Sequence, residues 1–283
     1  MGIQRADGFI RRCSANYSRD CYVLKLDIMS FFIRIDKTIL LAALEHFIAQ
    51  RYPYYNKAIV LELCQKIVMN DPSIHCLIKG KRAHWDDFPK EKSLFFATKE
   101  RGIPIGNLTS QVFANFYMNA FDHYVKHNLG VQYYGRYVDD FILVHEDRAY
   151  LAALIPVLSE FLLIKLGLDL HPRKIHLQHY AKGVNFLGVT IKPNRIYIGT
   201  RTKGNFYDAI NQHNNKSREK KPSKEEQAAF LCSMNSYLGI MKHYNTYRLR
   251  RRMLRKHLSI WWWNLMYLTG GASKLVPRQR TIR

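Results

Sequence analysis

The chain has 283 residues, 47% of them hydrophobic, so it can bury a core and does not have the composition of a disordered chain. Its 44 Lys and Arg against 22 Asp and Glu give a formal net charge of +22, which favours a polyanionic partner, although a basic ribosomal or membrane-surface protein would share that charge. Five cysteines without a Cys-x-x-Cys pair argue against a zinc site or a disulfide framework and favour a reducing cytosol.

The sequence predicts no membrane segment. The N-terminal residues lack the apolar stretch of a signal peptide, and the longest aromatic run, residues 260–263, is too short to span a bilayer.

In the first half of the chain, the pattern of apolar residues predicts one strand followed by helices. Residues 22–28 are typical of a buried strand, residues 37–50 and 56–69 of helices, and residues 108–128 of a long helix. The polar segment 79–93 is predicted to be a loop or a hairpin, because it combines Gly, Pro and mixed charges.

The second half begins with a hairpin pattern. Residues 132–145 indicate two strands joined by a tight turn, and residues 148–167 indicate another helix. Short strands are predicted next, at 175–180, 184–191 and 195–199. The charged segment 214–224 is the predicted internal boundary, and residues 224–268 are predicted to be helical before a basic tail.

This order of elements predicts the α+β fold class, with an antiparallel sheet and helices packed on one of its faces. In that layout the strand end at Asp27 and the hairpin turn at Asp139 and Asp140 can lie side by side.

These three aspartates are the leading candidates for chemistry. Asp139 and Asp140 stand between apolar strand segments, where burial and mutual repulsion disfavour their charged forms. An ordinary acidic turn would explain that pair alone, but Asp27 ends a second apolar strand. Carboxylate oxygens suit Mg²⁺, and bridging carboxylates can hold two ions about 3.5–4 Å apart. We therefore predict a two-metal site on Asp27 and Asp139, with Asp140 as a weaker third ligand.

Five segments resemble, in order, the motifs of reverse transcriptases, and they span roughly 60% of the chain. They are Leu24–Ile28 with Phe31 and Phe32, Arg101–Gln111, Tyr137–Asp140, His171–Lys174 and Lys182–Gly188. The segment Tyr137–Asp140 is similar to the Tyr-x-Asp-Asp box of that family. A chance match to one motif is plausible, whereas a chance match to all five in order is not.

The resemblance implies a right-hand polymerase palm followed by a helical thumb, and RNA-directed DNA synthesis with two Mg²⁺ ions, for which Mn²⁺ could substitute. Asp27, Asp139, Asp140 and Lys174 are the implied catalytic residues. The backbone carbonyl of Ile28 joins the aspartates as an implied metal ligand. Lys174 could protonate the leaving pyrophosphate or pair with the triphosphate, although a solvated lysine would also explain it.

Other residues are implied to bind the substrates. The nucleotide- and template-binding set is Phe32, Pro104, Ile105, Gly106, Asn107, Ser110, Gln111 and Tyr137. The primer-grip turn is Phe186, Leu187 and Gly188. Phe32 would lie under the sugar and exclude a 2′-hydroxyl, with core packing as the competing explanation, and an ordinary hairpin would explain the turn nearly as well.

The second of these motifs indicates a branch of the family. Most reverse transcriptases have Gln-Gly where this chain has Ile105-Gly106, and Ser-Pro where it has Ser110-Gln111. The pattern resembles that of diversity-generating retroelements, whose enzymes copy a template-repeat RNA, misincorporate opposite adenine and work with a small basic accessory protein. Retron and group II intron enzymes are the rivals, and both usually keep Gln-Gly. The branch implies a bacterial or phage-encoded, cytoplasmic enzyme.

The resemblance also implies a division of the chain. Residues 1–19 would be a remnant of the fingers or a linker, residues 20–200 the palm with some fingers elements, and residues 201–283 a basic helical thumb and tail. Only 26 residues precede Asp27, fewer than a full fingers region requires, so we expect a fragment. The predicted contacts to the nucleic-acid backbone are Arg248, Arg250, Arg251 and Arg252. The tryptophans at 261–263 could pack in the thumb core, stack on nucleic acid or dock a protein.

The expected partners are therefore template RNA, a DNA primer or cDNA, and deoxynucleoside triphosphates, with no membrane. Two alternatives of other classes stay open: a polymerase-fold module that binds nucleic acid without templated synthesis, and a phage-defence relative that adds nucleotides without a template.

Overall fold

A computed structural model describes residues 2–74, 76–77, 88–219 and 222–278. The chain divides into two compact units, residues 1–179 and 180–283. The division lies between residues 179 and 180, the boundary expected from the sequence lies between residues 200 and 201, and the assignment of palm and thumb stays a prediction. Most of the loop or hairpin predicted at 79–93 lies outside the described residues, and a short 3₁₀ helix occupies Lys90–Lys92.

The first unit contains the predicted sheet and most of the predicted helices. Its elements are α1 (Gly2–Cys13), β1 (Tyr22–Asp27), α2 (Phe31–Arg34), α3 (Lys37–Arg51), α4 (Lys57–Met69), α5 (Leu108–Tyr117), α6 (Asn119–His123), β2 (Tyr133–Tyr137), β3 (Asp140–His145), α7 (Arg148–Leu166) and β4 (His176–His179). A π-helical turn at Tyr124–Asn128 follows α6, so the single helix predicted over 108–128 is a chain of three segments.

An antiparallel sheet of order β2-β3-β1-β4 forms the centre of this unit. Leu24 and Leu26 of β1 pack in one core with helices α3, α5, α6 and α7. Because side chains alternate along a strand, Lys25 and Asp27 face the other side of the sheet. This confirms the predicted fold class and leaves the aspartate on the face away from that core.

Helix α1 of the N-terminal segment packs on the sheet. The ring of Phe9 lies 5.8 Å from that of Tyr133, and a Cβ atom at Gly135 would come 3.2 Å from the Phe9 ring. The absence of a side chain at Gly135 therefore lets α1 approach β2 closely.

Helix α7 is the one described helix that is long and apolar enough, by length and composition, to cross a membrane. It also has the pattern of a core helix, since leucines three or four residues apart pack in the core. They are Leu151, Leu154, Leu158, Leu162 and Leu166.

The second unit begins with a three-stranded sheet and continues with helices. Its elements are β5 (Val184–Phe186), β6 (Val189–Lys192), β7 (Arg195–Ile198), α8 (Thr200–Glu219), α9 (Lys224–Met241), α10 (Tyr247–His257), α11 (Ile260–Leu265), β8 (Met266–Thr269) and β9 (Lys274–Pro277). The strand predicted over 184–191 is two strands separated by a turn, α8 continues into the charged segment, and a hairpin ends the described chain.

Aromatic packing stabilises the helices of this unit. The ring of Trp262 stacks on that of Phe230, with centroids 3.7 Å apart and planes inclined by 9°. Trp262 is fully buried, which confirms core packing for one of the three tryptophans, while Trp261 and Trp263 are partly buried against the same core.

Candidate active site

The pairing of β1 with β3 brings the three aspartates to one end of the sheet. Asp27 lies directly opposite Asp140 across the two strands. The β2–β3 hairpin turns at Val138 and Asp139, and the backbone N–H of Ile28 donates to the Asp139 carbonyl oxygen over 3.2 Å. The side-by-side placement expected from the sequence is therefore present, while the catalytic roles stay predictions.

Two lysines neutralise part of the negative charge of the aspartates. Lys174 Nζ lies 2.9 Å and 3.0 Å from the two carboxylate oxygens of Asp27. Its position follows from the backbone, because the His171 N–H donates to the Asp27 carbonyl oxygen over 2.8 Å and a 3₁₀ turn then leads to Lys174. Lys25 Nζ lies 3.3 Å from Asp140 Oδ1. Sequence reasoning missed Lys25, although its place two residues before Asp27 puts it on the same face of β1.

For Asp139 and Asp140 the charged form is still electrostatically unfavourable. Burial raises the pKa of Asp139, the charges of Asp27 and Asp140 raise it further, and Lys174 opposes this rise. Burial also raises the pKa of Asp140, with Lys25 acting in the opposite direction. An added cation would relieve this repulsion, and carboxylate oxygens are hard ligands of the kind that divalent Mg²⁺ prefers.

The residues therefore fit a divalent cation by the chemistry of their donors. Within the described ranges, however, no group of three His, Cys, Asp or Glu side chains is already arranged to hold a metal ion. In this structure the lysines supply the cationic charge next to Asp27 and Asp140.

The segment Arg101–Gln111 is tied by its backbone to α2. The N–H of Gly102 donates to the carbonyl oxygen of Ile35, and that of Ile103 to the carbonyl oxygen of Phe32, each over 2.9 Å. Gly102 has a φ of +87°, which favours glycine, and a Cβ atom there would lie 3.2 Å from the carbonyl oxygen of Ile33.

The predicted nucleotide- and template-binding residues differ in exposure. Ile105 is 71% exposed, and Tyr137, Gly106, Asn107 and Gln111 are also exposed. Phe32 is half-buried, with its ring 5.4 Å from that of Phe31. Ser110 is buried, so its hydroxyl does not reach a substrate in the described conformation. A cavity of about 240 Å³ lies between this segment and the end of α4, and its lining includes Pro104, Asn107 and Ser110.

The predicted primer grip lies in the second unit. Leu187, with φ +48°, and Gly188, with φ +80°, form the two-residue turn between β5 and β6. The side chain of Phe186 is buried, so only the turn itself is available for contact.

The basic helix α10 requires a correction. Arg248, Arg251 and Arg252 are exposed, as the prediction requires, but Arg250 is only 5% exposed. It lies three and four residues before the buried Met253 and Leu254, on the inner face of the helix. Burial lowers the pKa of Arg250, and this side chain cannot contact a phosphate in the described conformation.

We expect the double substitution Arg251→Gln/Arg252→Gln to flatten the salt dependence of RNA binding. Each lost phosphate contact should reduce the slope of log K against log salt by about 0.7–0.9. Binding isotherms at several salt concentrations measure this slope. Lys165→Gln, which removes an exposed lysine on α7, is the matched control. An unchanged slope in the double variant would contradict a role for α10.

Comparisons with known proteins agree with this fold. Residues 2–191 match the model of the family described as reverse transcriptase (RNA-dependent DNA polymerase). A search of curated proteins gave no significant match. Among solved structures, apo telomerase from Candida tropicalis is 14% identical with a TM-score of 0.51, and the match covers 83% of this chain and 39% of that one.

Two further telomerase structures are similar at TM-scores below 0.5. A Candida tropicalis apo form truncated from its C-terminal domain is 16% identical with a TM-score of 0.49, covering 70% of this chain and 40% of that one. Telomerase from Candida albicans, in complex with a TWJ fragment of telomeric RNA, is 15% identical with a TM-score of 0.46, covering 90% of this chain and 44% of that one.

The chain spans about two fifths of the length of these telomerase chains. At such low identity, the structural likeness shows the fold alone. The family model, in contrast, matches more than half of the 283 residues and includes Asp27, Asp139, Asp140 and Lys174. The chain therefore belongs to the reverse transcriptase family.

Proposed function

We propose that the chain is an RNA-directed DNA polymerase that copies template RNA into cDNA from a DNA primer and deoxynucleoside triphosphates. One observation carries this proposal. Asp27 and Asp140 lie opposite each other on neighbouring strands beside the turn at Asp139, and Lys174 Nζ forms an ion pair with Asp27 over 2.9 Å. A module that only bound nucleic acid would gain nothing from clustered carboxylates, because they repel phosphate.

The aspartates and the Ile28 carbonyl would hold two Mg²⁺ ions, with Mn²⁺ as a possible substitute, and such ions neutralise charge at the attacking and leaving oxygens. The chain's own residues bind and orient the substrates. Lys174 is half exposed, so its ammonium can reach beyond Asp27 and give a proton to the leaving pyrophosphate or pair with the triphosphate. Ile105 and Gly106 present an open edge to the nucleotide.

We further propose that the enzyme is error-prone and comes from a bacterial or phage diversity-generating retroelement, acting in the cytoplasm with a small basic accessory protein. The exposed Ile105 supports this branch. Glutamine there could hydrogen-bond to the sugar or base edge of the incoming nucleotide, whereas isoleucine has no donor or acceptor. Fewer contacts that discriminate correct geometry should lower selectivity.

We expect Ile105→Gln to reduce misincorporation opposite template adenine by several-fold, because it restores a hydrogen-bonding side chain beside the nucleotide. Sequencing of cDNA made on an adenine-rich RNA template gives the error rate. Leu108→Gln, another exposed apolar position of the same segment, is the matched control. Equal error rates in the Ile105→Gln variant and the unmodified chain would show that Ile105 does not cause infidelity.

Primer extension on a defined RNA template with Mg²⁺ tests the proposed activity. The chain and its Asp139→Ala/Asp140→Ala variant are compared, and the products are sequenced. Synthesis that needs the aspartates and follows the template supports the proposal, and faithful copying would indicate a retron or group II intron-like enzyme instead. Extension unrelated to the template would indicate untemplated nucleotide addition. Duplex binding without synthesis would indicate a binding module.

A further inference from the structure

Arg136 is a buried cation directly before the catalytic turn. It lies on β2, and only 7% of its side chain is exposed. Its guanidinium forms a bidentate ion pair with Asp122 on α6, with Nε 2.8 Å from Oδ1 and Nη2 2.6 Å from Oδ2. The Tyr134 hydroxyl donates to the same Oδ1 over 2.5 Å. This ion pair joins the β2–β3 hairpin to α6 and uses two of the three guanidinium nitrogens, Nε and Nη2.

The third nitrogen of the Arg136 guanidinium reaches the turn itself. Nη1 donates to the carbonyl oxygen of Val138 over 2.8 Å. Val138 has a φ of +58°, a conformation that is unfavourable for a β-branched residue and persists only where its surroundings fix it. The bond therefore restrains a strained peptide unit immediately before Asp139.

The same nitrogen also contacts α5, the helix whose first residues belong to the predicted nucleotide-binding segment. Nη1 lies 3.2 Å from Asn115 Oδ1 on α5, and Asn115 Nδ2 donates to the Gln111 carbonyl oxygen over 3.0 Å. Gln111 is one of the predicted nucleotide- and template-binding residues. One buried side chain thus connects α5, α6 and the aspartate turn.

We propose that Arg136 is a positioning residue for polymerisation, which fixes the Val138–Asp139 peptide and couples the aspartate turn to the start of α5. The inference rests on the proposed function. Guanidinium offers five N–H donors in a rigid planar fork, so it can serve Asp122, Val138 and Asn115 together. A lysine ammonium keeps the charge for Asp122 but lacks the fork, so Arg136→Lys should lose the bond to the turn.

The test compares Arg136→Lys with Tyr134→Phe, which weakens the Asp122 pair from the side away from the turn. We expect Arg136→Lys to lower kcat for primer extension at least tenfold with the KM for nucleotide changed less than threefold. Tyr134→Phe should change kcat less than threefold at a similar loss of Tm. Adding Val138→Gly to Arg136→Lys should recover kcat at least threefold, because glycine adopts positive φ without strain.

Hydrogen exchange of the Ile28 amide, which donates to the Asp139 carbonyl, reports on the turn without any catalysis. It should accelerate in Arg136→Lys and not in Tyr134→Phe. If the unmodified chain makes no cDNA, the proposed function fails. The exchange rate of the Ile28 amide would still show whether Arg136 restrains the turn. If Arg136→Lys does not fold, Asn115→Ala replaces it in the test, because it removes a partner of Arg136 at an exposed position. We expect faster exchange of the Ile28 amide in that variant. Equal kcat losses in Arg136→Lys and Tyr134→Phe, or unchanged Ile28 exchange, would overturn the proposal.

Discussion

Replacing Asp139 with Asn is expected to reduce cDNA synthesis by at least about 10²–10³-fold while leaving the protein folded. Asn is nearly the same size, but it removes the charge that would hold a metal ion beside Asp27 and Asp140. Single-turnover primer extension measures the loss. Asp208→Asn, an exposed aspartate on α8, is the control for removing a carboxylate elsewhere.

The same substitution should raise Tm at neutral pH in the presence of a chelator. Burial and the neighbouring carboxylates raise the pKa of Asp139, so the folded state holds this proton more tightly than the unfolded state does. The ionised carboxylate therefore destabilises the fold above the folded-state pKa, and this effect disappears as the pH falls below the unfolded pKa of about 3.9. The gain in Tm from Asp139→Asn should shrink on acidification.

Melting curves at several pH values measure this linkage. A variant that melts lower than the unmodified chain at neutral pH would show that Asp139 stabilises the fold. Retained synthesis in Asp139→Asn would show that the carboxylate is not catalytic.

The second large effect is expected at Lys174. Lys174→Ala should lower the efficiency of nucleotide addition by about 100-fold, a size typical of lost proton transfer from a positioned side chain. Steady-state kinetics separates its two possible roles. A fall in kcat at constant KM for nucleotide indicates proton donation in the transition state, whereas a rise in KM indicates pairing with the triphosphate. Arg173→Ala, at the adjacent exposed residue, controls for a change in the 3₁₀ turn. Unchanged kinetics in Lys174→Ala would show that this side chain has no role in the reaction.

The sequence was sufficient to place the aspartates, because each stands where an apolar strand ends and the order of elements allows those strands to be neighbours. Both β1 and β3 are short, largely apolar runs, and such a run can be recognised in the sequence without knowing its partner strand. The strand 22–28, the hairpin 132–145 and the helix 148–167 were recognised for this reason.

Features that depend on distant partners were missed. Arg136 is a single arginine in a strand, and only the fold shows Asp122 and Asn115 beside it. Arg250 was grouped with the neighbouring arginines because the run of basic residues obscured the helical spacing. That spacing places Arg250 on the buried face of α10. The polar residues of α8 suggested a break, yet they are compatible with a helix whose inner face carries Phe206 and Ile210.

The pairing of Asp27 with Asp140 has a consequence for how this chain can vary. A shift of β1 by one residue against β3 would turn Asp27 toward the core and bring Leu24 and Leu26 to the opposite face, since side chains alternate along the strand. Catalytic alignment and burial of the core thus depend on one register. Insertions and deletions in β1 should therefore abolish folding and activity together. Homologues that fold but lack activity are expected to differ from this chain by point substitutions of the aspartates.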